Sequence, residues 1–281
     1  MSKVAIVTGA NKGLGLAVVK GLCEKYQGTV YLTSRDLKRG LEAVSSLQNY
    51  KNVKYHQLDV SDETSVKNFG DFLKSENAQL EILVNNAAIL EWDQIYPSYE
   101  AAKRNIDTNY KSLLLIEKYL FPLLIDGARV INVSSACATL SNLRKKRWVN
   151  MLLSKTLDED KINSFVDEYL ESVRNGTFNK NDFADEGKHA EHRVSKIALT
   201  ALTMVWQKKY PKISINAVHP GHINTDMAKG GGTTDPQEAA KVILYLAFDA
   251  SPNLKGTFMW HDRKLVDWYD AEADNYCKGI W

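Results

Sequence analysis

The 281-residue chain predicts an α/β fold, a doubly wound and predominantly seven-stranded parallel sheet with a helical insertion. Three observations carry that expectation. Strand-like runs recur at 3–8, 29–34, 53–58, 80–85, 129–134, 213–218 and 256–260, with helical segments between them. Most are continuous Val/Ile/Leu-rich runs rather than alternating ones, as expected when helices cover both faces of a parallel sheet. The rhythm breaks once, between about 139 and 190. No repeat, low-complexity stretch or interdomain linker interrupts the chain, so residues 1–281 read as a single domain.

The first strand, Val4-Ala5-Ile6-Val7, runs into Thr8-Gly9-Ala10-Asn11-Lys12-Gly13-Leu14-Gly15, and helical spacing follows from Leu14 to Leu22. This order places a pyrophosphate at a helix N-terminus, where unpaired N–H groups and the positive dipole end favour it. Gly9 permits the tight turn, Gly13 lets backbone approach the ligand, and Gly15 lets the helix pack closely on the strand. In such a sheet ligands bind beyond the carboxyl ends of the strands, so the residues there are the ones to inspect.

After the second strand come Thr33-Ser34-Arg35-Asp36 and, a turn later, Arg39. A dinucleotide with a free ribose 2′-hydroxyl calls for an acidic residue at this strand end, whereas a 2′-phosphate calls for cationic forks. Ser34 is not acidic, and Arg35, Arg39 and Lys12 can converge on a phosphate, which favours NADP(H). Asp36 argues the other way unless it is a charge partner or a helix cap. The third strand ends in Leu58-Asp59-Val60, where Asp59 either accepts from an adenine amino group or caps a turn. Asn85-Asn86-Ala87-Ala88 ends the fourth strand and Ser134-Ser135 the fifth. The sixth leads into Pro220-Gly221-His222-Ile223-Asn224-Thr225-Asp226-Met227. Five strand ends thus bring small or polar residues to one rim.

Within the insertion, Thr156-Leu157-Asp158-Glu159 is a capping-box pattern. Ile162, Phe165, Val166, Tyr169, Leu170 and Val173 then follow at helical spacing until Asn175-Gly176. The insertion is either a substrate-pocket wall that also blocks a dimer interface, or an inert cover over apolar surface. Trp92, Tyr96 and Trp148 are pocket, core or rim residues.

Hydrophobic residues make up 44% of the chain, enough for a substantial core. Lys plus Arg number 36 against 34 Asp plus Glu, which argues against a nucleic-acid or membrane-surface partner. The short Lys145-Lys146-Arg147 cluster reads as a solvated helix face. Cys23, Cys137 and Cys277 have neither disulfide-framework nor metal-site spacing, and no metal is expected. Asn132-Val133-Ser134 and Asn175-Gly176-Thr177 match the glycosylation pattern by chance, the first in an expected buried strand. No apolar run is long enough to span a bilayer and the first strand starts by residue 4, so a cytoplasmic protein is expected.

These motifs, with Thr108-Asn109, Asn132-Val133-Ser134-Ser135 and Thr225-Asp226-Met227, resemble the short-chain dehydrogenase/reductase family nearly end to end. Within it the chain is most similar to the monomeric NADPH-dependent carbonyl reductases, which carry a comparable insertion. The resemblance implies a Rossmann-type fold, a small-molecule carbonyl substrate and a monomer. It also implies cofactor contacts at Gly9, Asn11, Lys12, Gly13, Leu14, Gly15, Arg35, Arg39, Asp59, Val60, Asn86 and Ala87, and beyond them at Lys196, Pro220, Gly221, Ile223, Thr225, Asp226 and Met227. In the family a serine orients the carbonyl, a tyrosine donates the proton, a lysine four residues later binds the nicotinamide ribose, and an asparagine completes a proton relay. Ser135, Lys196 and Asn109 match three of these roles.

The tyrosine position is His192, in Glu191-His192-Arg193-Val194-Ser195-Lys196, and no shift of a residue or two supplies a tyrosine. Ala88 is a lesser departure, since the family commonly has glycine there. Imidazolium is a stronger acid than a phenol, and neutral imidazole still donates one N–H bond. The neighbouring Lys196 disfavours the imidazolium. Two readings stay open: an NADPH-dependent carbonyl reductase with His192 as an altered donor, and an NADP(H)-binding pseudoenzyme serving as a redox sensor or partner-binding module. If imidazolium is the acid, reduction accelerates as pH falls through the imidazole range.

Overall fold

The computed structural model describes residues 2–90 and 97–269, so Trp92, Tyr96 and Cys277 lie outside the described residues. In chain order the elements are β1 (Ser2–Val7), α1 (Gly13–Lys25), β2 (Thr29–Ser34), α2 (Leu37–Ser45), β3 (Val53–Gln57), α3 (Glu63–Ser75) and β4 (Ala78–Asn85). Next come α4 (Tyr99–Ile106), α5 (Ser112–Leu120), β5 (Leu124–Val133), α6 (Lys146–Leu152), α7 (Glu159–Arg174) and α8 (Ala190–Lys209). The chain continues with β6 (Ser214–Val218), α9 (Pro236–Leu244), β7 (Phe258–Met259) and β8 (Leu265–Val266).

The strand order is β3-β2-β1-β4-β5-β6-β7-β8, parallel through β7 and antiparallel at β8. From β1 the chain winds outward to β2 and β3, then crosses to β4 and winds the other way. The carboxyl ends of β1 and β4 therefore flank the switch point where such sheets bind ligands. Both faces are covered. In β1, Val4 and Ile6 belong to the core shared with α3, α5, α7 and α8, and Ala5 and Val7 to the core shared with α1 and α9. Burial on both faces is why the strand is a continuous apolar run.

Most strand ends move by one or two residues from the sequence expectation, and the larger departures are the additional strand β8 and the start of β5. β8 has two residues and follows a tight turn in which Trp260 N donates to Lys264 O at 2.8 Å, too little chain for any periodicity. β5 starts at Leu124 because its pairing with β4 shifts register between Leu80 and Ile82, looping out the polar Asp126-Gly127 that breaks the apolar run.

The insertion contributes α6, α7 and short 3₁₀ turns before α8. α7 packs against α8 and α4. Trp148 is 1% exposed and meets Phe165 edge-on at 5.3 Å and Phe183 at 5.5 Å, so it is a core residue. The cap of α7 lies two residues later than the capping box predicts. Asp158 Oδ1, not Thr156, accepts from Lys161 N at 2.9 Å, since a carboxylate gains from the helix dipole as well as the hydrogen bond. Lys145 bridges Glu168 (3.2 Å) and Asp182 (3.4 Å) and lies over the Trp148 ring, while Arg147 pairs with Glu168. The basic cluster therefore ties α6 to α7 instead of forming a merely solvated face.

Candidate active site

The glycine-rich turn is locked to the end of β4. Thr8 Oγ1 accepts from the N–H groups of Asn86 and Ala87, both at 3.0 Å, and Asn86 Nδ2 donates to the carbonyls of Thr8 (2.9 Å) and Gly9 (3.1 Å). Gly9 has φ +62° and a Cβ there would lie 2.7 Å from Ala87 Cα, so turn geometry and space both demand glycine. A Cβ at Gly15 would lie 2.6 Å from Asn86 Nδ2. Lys12 occupies the N-cap of α1 without a side-chain cap, leaving first-turn N–H groups facing the mouth beside Asn11 and Leu14. This cradle fits a dinucleotide pyrophosphate, which needs backbone approach and N–H donors. Ala88 is absent from the left-handed residues, which explains why alanine is tolerated where the family commonly has glycine.

At the end of β2, Ser34 is buried and donates to Asp36 O at 2.9 Å. Asp36 caps α2 through Arg39 N at 2.9 Å and pairs with Arg39 Nε at 3.8 Å, so it takes the role of cap and charge partner. Arg35 and Arg39 are exposed on the rim. Asp59 Oδ1 accepts from Ser61 N (3.0 Å) and Ser61 Oγ (2.7 Å) and so shapes a turn, while Asp62 caps α3. Val60 is buried beneath that turn.

Beyond β6, Pro220 is buried and Gly221 has φ +96°. The following loop is closed at its base by a bridge between Ile223 and Thr234. Its 3₁₀ turn Asp226–Ala228 carries Met227 and follows Thr225. Lys12 Nζ contacts Asp226 Oδ2 at 2.6 Å, and Arg39 lies close enough to add to the pull on that carboxylate.

The four candidate catalytic residues are all buried, with Ser135 7%, His192 4%, Lys196 4% and Asn109 1% exposed. His192 and Lys196 share one face of α8, one turn apart. Lys196 Nζ donates to Val133 O at 2.7 Å, two residues before Ser135. Burial pushes the Lys196 ammonium down to about 8, with Cys137 pulling weakly the other way. Ser135 caps the short turn after β5, its Oγ accepting from Cys137 N at 3.2 Å. Asn109 lies in a π-helical turn, Asp107–Lys111, between α4 and α5, a geometry that recurs at functional sites. Its amide holds both backbone groups of Ile89 (N at 2.8 Å, O at 2.9 Å) and reaches Asn105 Oδ1 at 2.9 Å and Ser195 Oγ at 3.3 Å.

His192 is held well below the ordinary imidazole range, first by burial and then by the charges of Lys196, His189 and Arg193, against a hydrogen bond to the Ile89 backbone. The ring is therefore neutral at neutral pH and below. An acceleration through the ordinary imidazole range is not expected of such a group.

Arg193, which motif reading passed over, is 1% exposed. It donates to Lys188 O (2.9 Å), Asp185 Oδ2 (3.1 Å) and Asn142 Oδ1, tying the start of α8 to the loop after Ser135. The preceding segment is strained, with Asp185, Glu186 and His189 all at φ of 51–53°. Asn105 and Ser195 were also missed, since a lone Asn or Ser carries no spacing signal, and Thr8 was read only as the head of the glycine motif, without the hydrogen bonds that lock it to β4.

This arrangement of a parallel sheet, a glycine cradle at the switch point and a Ser, Asn and Lys cluster beside it defines a dinucleotide-binding dehydrogenase. The family model for short chain dehydrogenase matches residues 3–145, and the chain belongs to the short-chain dehydrogenase/reductase family. Among curated relatives, carbonyl reductase (NADPH) 1 of Sus scrofa is 34% identical over 278 residues, covering 95% of this chain and 94% of that protein. The Homo sapiens protein of the same description is 34% identical over 258 residues, covering 87% and 90%. Among solved structures, menthone neomenthol reductase from Mentha piperita is 31% identical with a TM-score of 0.76, covering 93% of this chain and 99% of that one. Salutaridine reductase from Papaver somniferum is 29% identical with a TM-score of 0.83, covering 92% and 99%.

Proposed function

We propose that this protein is an NADPH-dependent reductase of small ketones, aldehydes or quinones, with neutral His192 as a hydrogen-bond donor where relatives of its family use tyrosine. The observation that carries the reading is the burial of Ser135, Asn109, Lys196 and His192 beside an intact glycine cradle. When bound, NADPH supplies hydride to the carbonyl carbon. Gly9, Gly13 and Gly15 with the first turn of α1 would hold its pyrophosphate, Arg35 and Arg39 would take the 2′-phosphate, and Lys196 would bind the nicotinamide ribose. Ser135 Oγ orients the carbonyl oxygen by donating to it. A neutral imidazole adds a second N–H donor and polarises that oxygen, but it is a weak acid and leaves net proton delivery to solvent. Quinones and dicarbonyls need the least acid assistance and are the substrates to test first.

The deciding experiment measures NADPH binding and NADPH consumption on one sample for the parent protein, His192→Phe and His192→Tyr. A positioned acid contributes about 10²- to 10⁴-fold, so His192→Tyr beside Lys196 and Ser135 raises turnover by ~10-fold or more, while His192→Phe loses most of it. Full activity in His192→Phe makes the histidine a spectator. The neutral, backbone-tied ring also favours a second reading, an NADP(H)-binding pseudoenzyme. That reading wins if all three proteins bind NADPH and none consumes it.

A further inference from the structure

The chain enters the insertion just after Ser135 and leaves it into α8, whose first turn carries His192, so the two ends of the insertion adjoin two candidate catalytic residues. Those ends meet. Leu143 and Phe183 form an antiparallel bridge, and Arg144 N donates to Asp182 O at 2.8 Å. Arg193 is buried at this crossing, and its guanidinium nitrogens are divided between the two ends. On the returning end Nε donates to Lys188 O at 2.9 Å and Nη2 to Asp185 Oδ2 at 3.1 Å; on the leaving end Nη1 donates to Asn142 Oδ1. Asn142 passes the hold on toward Ser135. Its Nδ2 donates to Thr139 Oγ1 at 2.8 Å and to Ala136 O at 3.4 Å, the carbonyl of the residue next to Ser135.

The returning end is held in an unfavourable shape. Asp185, Glu186 and His189 all have φ of 51–53°, left-handed values that cost energy in non-glycine residues and persist where the surroundings impose them. His189 is also the N-cap of α8 and supplies no side-chain cap. This shape brings the Asp185 carboxylate and the Lys188 carbonyl onto one guanidinium, whose rigid planar fork suits a fixed set of acceptors. Arg193 thereby fixes where α8 begins. Successive helical residues point about 100° apart, so Arg193 does not share the face that carries His192 and Lys196 and acts on them through the helix start.

We propose that Arg193 is a positioning residue for the reduction: by clamping the two ends of the insertion it sets the spacing between Ser135 and His192, and through that spacing the turnover but not the affinity for the dinucleotide. The glycine cradle is locked by Thr8 and Asn86 at the ends of β1 and β4, neither of which the clamp holds. The assignment rests on the reductase reading above and goes beyond it by giving the insertion a part in the chemistry.

The test compares the parent protein with Arg193→Met, Arg193→Lys and Asp185→Asn at neutral pH; the Asp185 side chain is 61% exposed, so its replacement leaves the fold intact. NADPH affinity, kcat and KM for a naphthoquinone are measured, together with imidazole NMR spectra in which His192→Phe identifies the His192 signal. A misplacement of about 1 Å costs up to ~10²-fold, so Arg193→Met lowers kcat by ~10-fold or more while NADPH affinity is unchanged. Arg193→Lys keeps the charge but loses the fork, and recovers only part of that loss. Asp185→Asn, which leaves Nε and Nη1 held, lowers kcat less than Arg193→Met does. Unchanged kcat in Arg193→Met, or a matching loss of kcat and NADPH affinity, overturns the positioning role, and full recovery in Arg193→Lys assigns the effect to charge instead of the clamp. If Arg193→Met does not fold, Arg193→Lys and Asp185→Asn decide by the same readings. A parent protein that binds NADPH without consuming it refutes the reductase reading, and the spectra then decide the clamp. A His192 signal that shifts or doubles in Arg193→Lys and Asp185→Asn while that of His219 stays in place supports it, and an unmoved His192 signal overturns it.

Discussion

His192 and His219 are both buried and both held neutral, His192 by burial and the Lys196 charge and His219 by burial together with His261 and His222, down to about 3. An unfolded chain takes up a proton on each near pH 6.5, whereas the native protein does not. The unfolded state thus binds more protons below that pH, and stability rises with pH there. Its full value is present above about pH 6.5 and, for His219, is lost as pH falls from there toward 3. The slope is at most ~1.4 kcal/mol per pH unit for each histidine. Thermal unfolding at pH 7.5 and pH 5 should show this loss, and His219→Phe, which can keep the contact with Trp260 (ring centroids at 4.3 Å in the parent), should flatten it. An unchanged slope in that variant would assign the acid sensitivity elsewhere. Ser135, Asn109 and Lys196 were legible through the motifs that resemble the family, and the missing tyrosine was plain only against that resemblance. The protonation state of His192 needed more than its lysine neighbour, because the largest cause is burial by residues distant in sequence.

At the scale of elements, the first turn of α7 offers a sharp check. Asp158 supplies the cap, so Asp158→Ala should lower the unfolding temperature by roughly 2–4 °C while Thr156→Ala changes it less, as measured by calorimetry. The reverse order would restore the capping box written in the sequence. Long apolar runs made β1, β2, β4, β5 and β6 legible, because burial on both faces leaves a signal in every residue. Signals fade where a tertiary contact decides the outcome. β8 is pinned by its turn from β7, the first part of β5 by a register shift against β4, and the cap of α7 by competition between two nearby acceptors. The π turn at Asn109 left no signal either. Its residues continue an ordinary helical pattern from α4 into α5, and the extra residue is absorbed where Asn109 bonds the Ile89 backbone.

On the scale of the whole molecule, the insertion decides which surfaces remain available. α7 lies against α4 and α8 and buries Ile162, Phe165, Val166, Tyr169 and Leu170 there. Those residues build a layer on the outside of helices that would otherwise present apolar faces, and the outward side of α7 is charged, with Lys145 and Arg147 both paired to Glu168. A stable self-association needs a complementary patch that buries about 1,000 Å² or more in total, with a dry apolar centre. The charged outer side of α7 is poorly suited to that role. The expected state is therefore a monomer of 31.6 kDa at micromolar concentration, read by sedimentation equilibrium. A salt-insensitive dimer or tetramer at that concentration would mean that association uses another surface and that the insertion serves the pocket alone. Replacing Phe165 with Glu supplies the complementary arm. By forcing α7 off α4 and α8 it should expose the covered faces, so that the variant associates or aggregates where the parent stays monomeric.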